Sequence, residues 1–262
     1  MTGFEGRANR WLIWGLVILG LLIIYAPPFY LIGISLNPAL QPGLPALSDL
    51  SLTWYVALAQ ERGLLAALRQ SALIATITAL AATGLSLLAA LGYMELQRRR
   101  SLWFMAVLLP MFIPGVIQGL ALSVIFTRLG VKPSALTVAS GHLLWVMPFA
   151  FIVILTSLGS VRRSYLMAAA DLGASYFRRF LDVTFPLIRT GLISAFLFSF
   201  LLSLNEFARA FYLVGRQNTL PIEMFGKMNS GANPTIYALS GAIFAASILA
   251  VALIGWRQSR AG

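Results

Sequence analysis

Long uncharged runs organise this chain. No Asp, Glu, Lys or Arg lies between Arg10 and Asp49, Arg69 and Glu95, Arg100 and Arg128, or Lys132 and Arg162. A fifth run follows Arg189 up to Glu206, and a sixth covers Pro234 to Trp256. A helix needs about 20 apolar residues to cross the hydrocarbon core of a bilayer. The pattern therefore predicts six membrane-spanning helices, near residues 11–35, 70–93, 102–127, 135–160, 187–213 and 234–256. The runs are continuous rather than alternating, which argues for helices over a β-barrel. The expected fold class is an all-α membrane protein.

The polar segments predict the connections. Residues 36–68 form an outer loop rich in Pro and Leu, in which LTWYVALAQERG reads as a short interfacial helix. Trp54 and Tyr55 suit the headgroup level there. LQRRR at the end of the second span is an inner anchor. LPMFIPG in the third span carries Pro110 and Pro114, which should kink or break that helix. Residues 128–134 and 215–233 are outer loops, and 161–186 is the longest cytoplasmic segment. The chain reads as one transmembrane domain, 1–262. Its parts are a first span and outer loop (1–68) and a five-helix core (69–256) that contains the loop at 161–186.

Composition agrees. The 262 residues are 59% hydrophobic and 10% charged, with a mean hydropathy of +0.85, where soluble domains carry about 25% charged residues. The first run is much longer than the 7–15-residue core of a signal peptide, and Pro27 and Pro28 follow Ala26 where a cleavage site would fall, so a retained span is expected. The net charge of +11 does not mark a nucleic-acid footprint. With the N-terminus inside, twelve of the basic residues fall on inner segments and seven on outer ones. That bias places both termini in the cytoplasm. There is no cysteine, no phosphate-cradling G-x-x-x-x-G-K-[ST] and a single histidine, so disulfides, a nucleotide loop of that kind and a dedicated transition-metal site are not expected. Ion-driven carriers usually bury several ionisable groups in their spans. Here only the fifth span clearly has them, which favours a partner as the energy source.

The segment MAAADLGASYFRRFLDVTFPLI, residues 167–188, interrupts the apolar pattern. Ser164 can cap a helix beginning at Tyr165, and YLMAAADL is a good helical run with a small-residue face. Gly173 suits the left-handed turn that ends it. Ser175 can cap a second short helix, YFRRFLDV, before Pro186 stops it or opens the fifth span. Read from the residues alone, the loop either docks a partner through its alanines, Phe177, Phe180 and Leu181, or lies on lipid with Arg178 and Arg179 on headgroups.

These residues resemble the loop of the inner-membrane permease subunits of binding-protein-dependent ABC importers, which has the form E-A-A-x-x-x-G-x9-I-x-L-P. This chain has Met167-Ala168-Ala169, Gly173 four positions after the alanine pair, then nine residues and Val183-x-Phe185-Pro186. The resemblance runs from about Ser71 to Trp256. It implies a type I importer permease fold in which the loop's helices sit in a cleft of a cytoplasmic ATPase. Met167, Ala168, Ala169, Asp171, Gly173, Ala174, Ser175, Phe177 and Pro186 would then form the coupling element. Met167 replaces the family's usual glutamate; Asp171, four residues on, would supply the charge. SFLLSLNEFARAFYLVG and TLPIEMFGKMNSGANPTIYALSGAIF are further similar to the second permease subunit of spermidine/putrescine-type importers, through Asn205-Glu206, Thr219-Leu220-Pro221, Gly231 and Pro234-Thr235-Ile236. That branch also includes carriers of phosphonates and opines.

Several implications follow from this resemblance. The chain itself would have no enzymatic activity and no cofactor, with ATP and Mg held by two cytoplasmic ATPase subunits. Its other partners would be a related but different permease subunit, a periplasmic solute-binding protein and membrane lipid, in a bacterial inner membrane. Solute passage would occur by alternating access, with a polyamine or other organic amine as cargo.

Glu206 and Arg209 are charged within the fifth span, three positions apart. Either they neutralise one another, or Glu206 lines the path of a cationic solute, with Asn205 beside it; both can hold together. His142 reads as an interhelical hydrogen-bond partner, Gln118 as structural, and Trp103, Trp145 and Trp256 as interface or packing residues. The rival function is a self-contained ion-driven carrier or channel with Glu206 as its site. A weaker one is a non-transporting scaffold.

Overall fold

The computed structural model describes residues 7–261 apart from Gln97 and Ala232; the side chains of residues 7–9 and 250–261, including the Trp256 ring, lie outside that description. In order, the helices are α1 (Arg7–Ser35), α2 (Thr53–Gln60), α3 (Arg62–Glu95), α4 (Arg100–Leu108), α5 (Gly115–Arg128), α6 (Ala135–Gly159), α7 (Arg163–Asp171), α8 (Tyr176–Arg179), α9 (Phe185–Leu204), α10 (Ala210–Leu213), α11 (Leu220–Asn229) and α12 (Thr235–Ala261). No strand occurs among the described residues.

Four helices are long and apolar enough to cross a membrane: Arg10–Ser35, Arg62–Glu95, Ala135–Gly159 and Tyr176–Leu204. A fifth candidate is α4 and the 3-10 turn Leu109–Phe112 joined to α5 at a bend of 95°. The sixth expected span falls on α12, whose apolar side chains are described as far as Leu249.

The chain forms two compact units. The first holds residues 1–62 and 224–262. Within it α1 packs against α12, with the Phe29 and Phe244 rings edge to face at 5.5 Å. The polar tips of Trp54 and Tyr55, both half-buried, are hydrogen-bonded within this unit. Trp54 Nε1 donates to the Asn37 carbonyl at 2.7 Å, and the Tyr55 hydroxyl lies 2.7 Å from Ser35 Oγ. Both tie α2 and the segment before it to the end of α1. Much of α1 remains bare, including Trp11, Ile23 and Ile24, as expected for a lipid-facing helix.

The second unit holds residues 63–223. Its α3 buries a stripe of small residues, Ala67, Ser71, Ala75, Thr78, Ala82, Ser86 and Ala89, which lets other helices approach its backbone closely. Polar tips in the stripe find partners across the packing: Ser86 Oγ donates to the Met147 carbonyl at 2.9 Å, and Ser71 Oγ accepts from the Leu220 N–H at 2.7 Å. The main contact joins α6 and α9, around Val146, Phe151, Ile154, Ile188 and Ala195. Trp103 is a packing residue, its Nε1 donating to the Ala89 carbonyl at 2.9 Å. Arg100 reaches back to the last carbonyls of α3, at 3.2 Å from Tyr93 and 2.7 Å from Met94, which satisfies that helix end.

Three expectations are corrected. The second span begins at Arg62 rather than near residue 70. The segment 215–233, expected as an outer loop, contains α11, because Pro221 sits in a first helical turn where it needs no donor. The fifth span does not run to residue 213: α9 ends at Leu204, and residues 205–209 are irregular before the single turn of α10.

Candidate functional site

The loop at 161–186 opens with α7. Ser164 does not cap it; the helix begins at Arg163, with Arg162 at the cap position and no side-chain bond there. Its C-terminus closes as expected. Gly173 has φ +81°, a conformation that costs a residue with a Cβ roughly 1–2 kcal/mol. The Gly173 N–H bonds the Ala170 carbonyl at 2.9 Å and the Ala174 N–H bonds the Ala169 carbonyl at 2.9 Å, the paired bonds of a Schellman turn. Ser175 then caps the next helix, its Oγ accepting from the Arg178 N–H at 3.4 Å.

That next helix is not a separate element. Tyr176–Arg179 passes through a π-turn, Phe180–Thr184, straight into α9, so helix is continuous from Tyr176 to Leu204. Pro186 neither stops it nor interrupts it. It occupies the first turn of α9, directly after the wide turn in which the Phe185 N–H bonds the Phe180 carbonyl.

The turn between α7 and α8 presents an exposed apolar surface. Met167, Tyr176 and Phe177 are exposed, and Leu172 at 89% is almost fully bare. Ala168, Asp171 and Ser175 are also exposed, while Ala169 and Ala174 are half-buried. Behind this surface is a cavity of about 130 Å³ lined by Met94, Glu95, Leu158, Leu166, Tyr176 and Arg179 among others. The Arg179 guanidinium sits 5.7 Å from the Tyr176 ring centre, and its Nε is buried without a partner.

A second cluster gathers where α9 ends. Asn205 is exposed, and its side-chain amide donates to the Leu201 carbonyl at 2.9 Å, satisfying the helix terminus. Glu206 follows in the irregular segment. Its Oε1 lies 3.1 Å from Arg209 Nη1 and accepts the Arg209 backbone N–H at 3.0 Å. The expected ion pair is therefore present, although in a break rather than within a helix. Arg209 is only 3% exposed. Its Nε donates to Gln118 Oε1 at 2.7 Å, and its guanidinium carbon stands 5.0 Å from the centre of the Trp145 ring. Burial of a cation to this degree requires such partners.

Glycines on α5 leave the space: a Cβ on Gly115 would come within 2.7 Å of Arg209 Nη1, and one on Gly119 within 3.0 Å of Arg209 Cα. Gln118 also turns the other way, its Nε2 donating at 2.6 Å to the carbonyl of Pro110. Pro114 lacks the N–H that an unbroken helix would point at that carbonyl. One side chain thus joins the bend of the third span to the break in the fifth. Nearby, His142 Nδ1 lies 2.8 Å from Ser203 Oγ, the interhelical bond expected for it. Trp145 begins a row of rings: Phe149 at 4.9 Å, then Phe198 6.0 Å from Phe149.

The chain can be set beside known proteins on this basis. The family described as "Binding-protein-dependent transport system inner membrane component" matches residues 82–260. The chain belongs to that family. The permease is 31% identical over 254 residues, 93% of its length and 89% of the relative's, to the putrescine transport system permease protein PotI of Escherichia coli (strain K12). It is 25% identical over 200 residues, 76% of each chain, to the spermidine/putrescine transport system permease protein PotC of the same strain. In structure it is similar to a chain of the bacterial alginate ABC transporter in complex with alginate pentasaccharide-bound periplasmic protein, with TM-score 0.73, 18% identity and coverage of 97% and 95%. A second alginate ABC transporter chain gives TM-score 0.66 at 19% identity, covering 99% of each. These likenesses support the type I importer permease fold. Both clusters in the permease fall inside the matched residues.

Sequence reasoning missed four participants in these clusters. Leu172 and Tyr176 stand out only once the turn is built, because an apolar residue beside a membrane span carries no distinguishing mark. Gln118 and Trp145 were read as structural, and only Gln118 left a signal, as an amide four residues after Pro114 in an uncharged run.

Proposed function

We propose that this permease is the membrane-spanning subunit of an ATP-driven importer that takes an organic amine, a polyamine foremost, from a periplasmic binding protein to the cytoplasm. The observation that carries the coupling half of this reading is the exposed apolar turn made by Met167, Leu172, Tyr176 and Phe177 between two ordered helix ends. Apolar side chains held this far from the rest of the fold fit a partner's cleft better than water. The turn would sit in the ATPase, with Ala168, Ala169 and Gly173 setting its shape and Asp171 offering the charge that Met167 lacks. The relatives named for putrescine and spermidine support an amine as solute, and Glu206 offers a carboxylate for it.

On this reading ATP and Mg belong to two cytoplasmic ATPase subunits, and a related second permease completes the path. Both termini face the cytoplasm. Closure of the ATPases moves the loop, the spans open outward to receive solute, and hydrolysis returns them. The coupling must be reciprocal, so a docked binding protein alters ATPase turnover.

The test is ATPase activity of the assembled complex in lipid, with its binding protein, across putrescine, spermidine, choline and 2-aminoethylphosphonate. Stimulation by a polyamine supports the amine reading. Stimulation only by another solute keeps the importer and removes the polyamine. A chain that transports without any associated ATPase refutes the whole proposal.

A further inference from the structure

The groups around Arg209 are those that recognise an ammonium ion. Glu206 gives a carboxylate, Gln118 an amide oxygen and Trp145 an indole face, all converging on one guanidinium that is 3% exposed. A carboxylate supplies opposite charge, an amide oxygen fixes direction, and a ring face attracts a cation that has left water. The three belong to different segments: Gln118 to α5, Trp145 to α6 and Glu206 to the break after α9.

Arg209 itself is carried by the irregular segment at 205–209, so its side chain can leave without unwinding a helix. The amide and the ring are carried by regular helices and would stay in place. Past Trp145 the row of rings continues through Phe149 to Phe198, which is 43% exposed. A cation displaced from the cluster along α6 therefore stays beside aromatic rings, which pack edge to face on one another.

We propose that Glu206, Gln118 and Trp145 form a binding site for an ammonium group of the solute, and that Arg209 fills this site as a tethered cation until the solute replaces it. The inference rests on the organic-amine reading above and assigns it a place in the chain. Exchange of one cation for another leaves Glu206 paired throughout, so the carboxylate is never left as an uncompensated charge. The returning guanidinium then repels the solute from the site, so the same side chain closes the path and clears it.

The test is direct binding of radiolabelled putrescine to the complex in lipid nanodiscs, with the binding protein omitted. Removing the competitor in Arg209→Ala is expected to tighten binding about tenfold. The double variant Arg209→Ala/Glu206→Gln is expected to lose that gain. An Arg209→Ala complex that assembles normally and binds putrescine no better than the unaltered complex overturns the proposal.

Should Arg209→Ala fail to assemble, Trp145 decides. Trp145→Leu is expected to lower putrescine uptake about fivefold while loaded binding protein still stimulates the ATPase, and Trp145→Phe to recover most of the loss. Equal uptake in the Leu variant and the unaltered complex overturns the site. Uptake of putrescine by the unaltered complex, measured in parallel, separates the two readings. Its absence removes the amine reading and this site with it; its presence without the expected variant effects removes the site alone.

Discussion

Gln118 Nε2 donates to the Pro110 carbonyl at 2.6 Å, across the place where the third span bends by 95°. The same side chain accepts from Arg209 at 2.7 Å. Gln118→Ala leaves the buried Arg209 Nε without its acceptor, a loss of about 1–3 kcal/mol, while the Pro110 carbonyl keeps only the Ile113 N–H at 3.3 Å. The purified complex should melt at a lower temperature than the unaltered one. An unchanged melting temperature would show that the bend holds without this bridge.

Glu206 and Arg209 form a pair in which the Arg209 side chain is buried and that of Glu206 is 10% exposed, so removing one partner should cost more than removing both. Glu206→Gln alone leaves an unpaired guanidinium, a loss of about 3–5 kcal/mol. The double variant Glu206→Gln/Arg209→Met should recover part of it, a non-additive result expected for residues in contact. A thermal-unfolding cycle on the four proteins measures this, and strict additivity would contradict the pair.

Gly173 carries φ +81° with no atom within 4 Å of where a Cβ would stand. Substitutions there should therefore follow backbone preference rather than space: Asn mildest, Ala next, Val worst, over a range of about 1–2 kcal/mol. Gly173→Arg should insert normally and yet uncouple ATP hydrolysis from uptake. Uptake at the unaltered level in that variant would refute the coupling role of the turn.

Leu172 and Phe177 are exposed and make little of the fold, so Leu172→Ala and Phe177→Ala should shift stability by no more than about 0.5 kcal/mol. If they anchor the ATPase, each should weaken its association by about 2 kcal/mol, as interface anchors do. Titration of separately purified ATPase onto the permease in nanodiscs distinguishes the two effects. Full affinity in both variants would move the docking surface elsewhere.

The long apolar runs made α1, α3, α6 and α9 legible, since nothing but a helix can bury so many consecutive backbone groups in lipid. The break in the third span was legible because proline removes a named hydrogen bond. Gly173 and Ser175 were legible because turn and cap geometry select residue type locally. The break after Leu204 was not: LSLNEFARAF holds neither proline nor glycine, and a charged pair reads equally well inside a helix. Of the two roles read for Pro186, it does not stop the short helix but sits in the first turn of α9, directly after a π-turn. The bond between Gln118 and Arg209 joins residues 91 positions apart, and no local pattern carries that information.

The unbroken helix from Tyr176 to Leu204 has a mechanical consequence. Its 29 residues make a rod of about 43 Å at roughly 1.5 Å per residue. One end carries the exposed surface at Tyr176 and Phe177; the other stops one residue short of Asn205 and two short of Glu206. A tilt of about 5° about one end swings the far end by about 4 Å at this length. A push on the first end is thus delivered to the second through continuous helix, in which the π-turn at Phe180–Thr184 is a departure from regular α geometry.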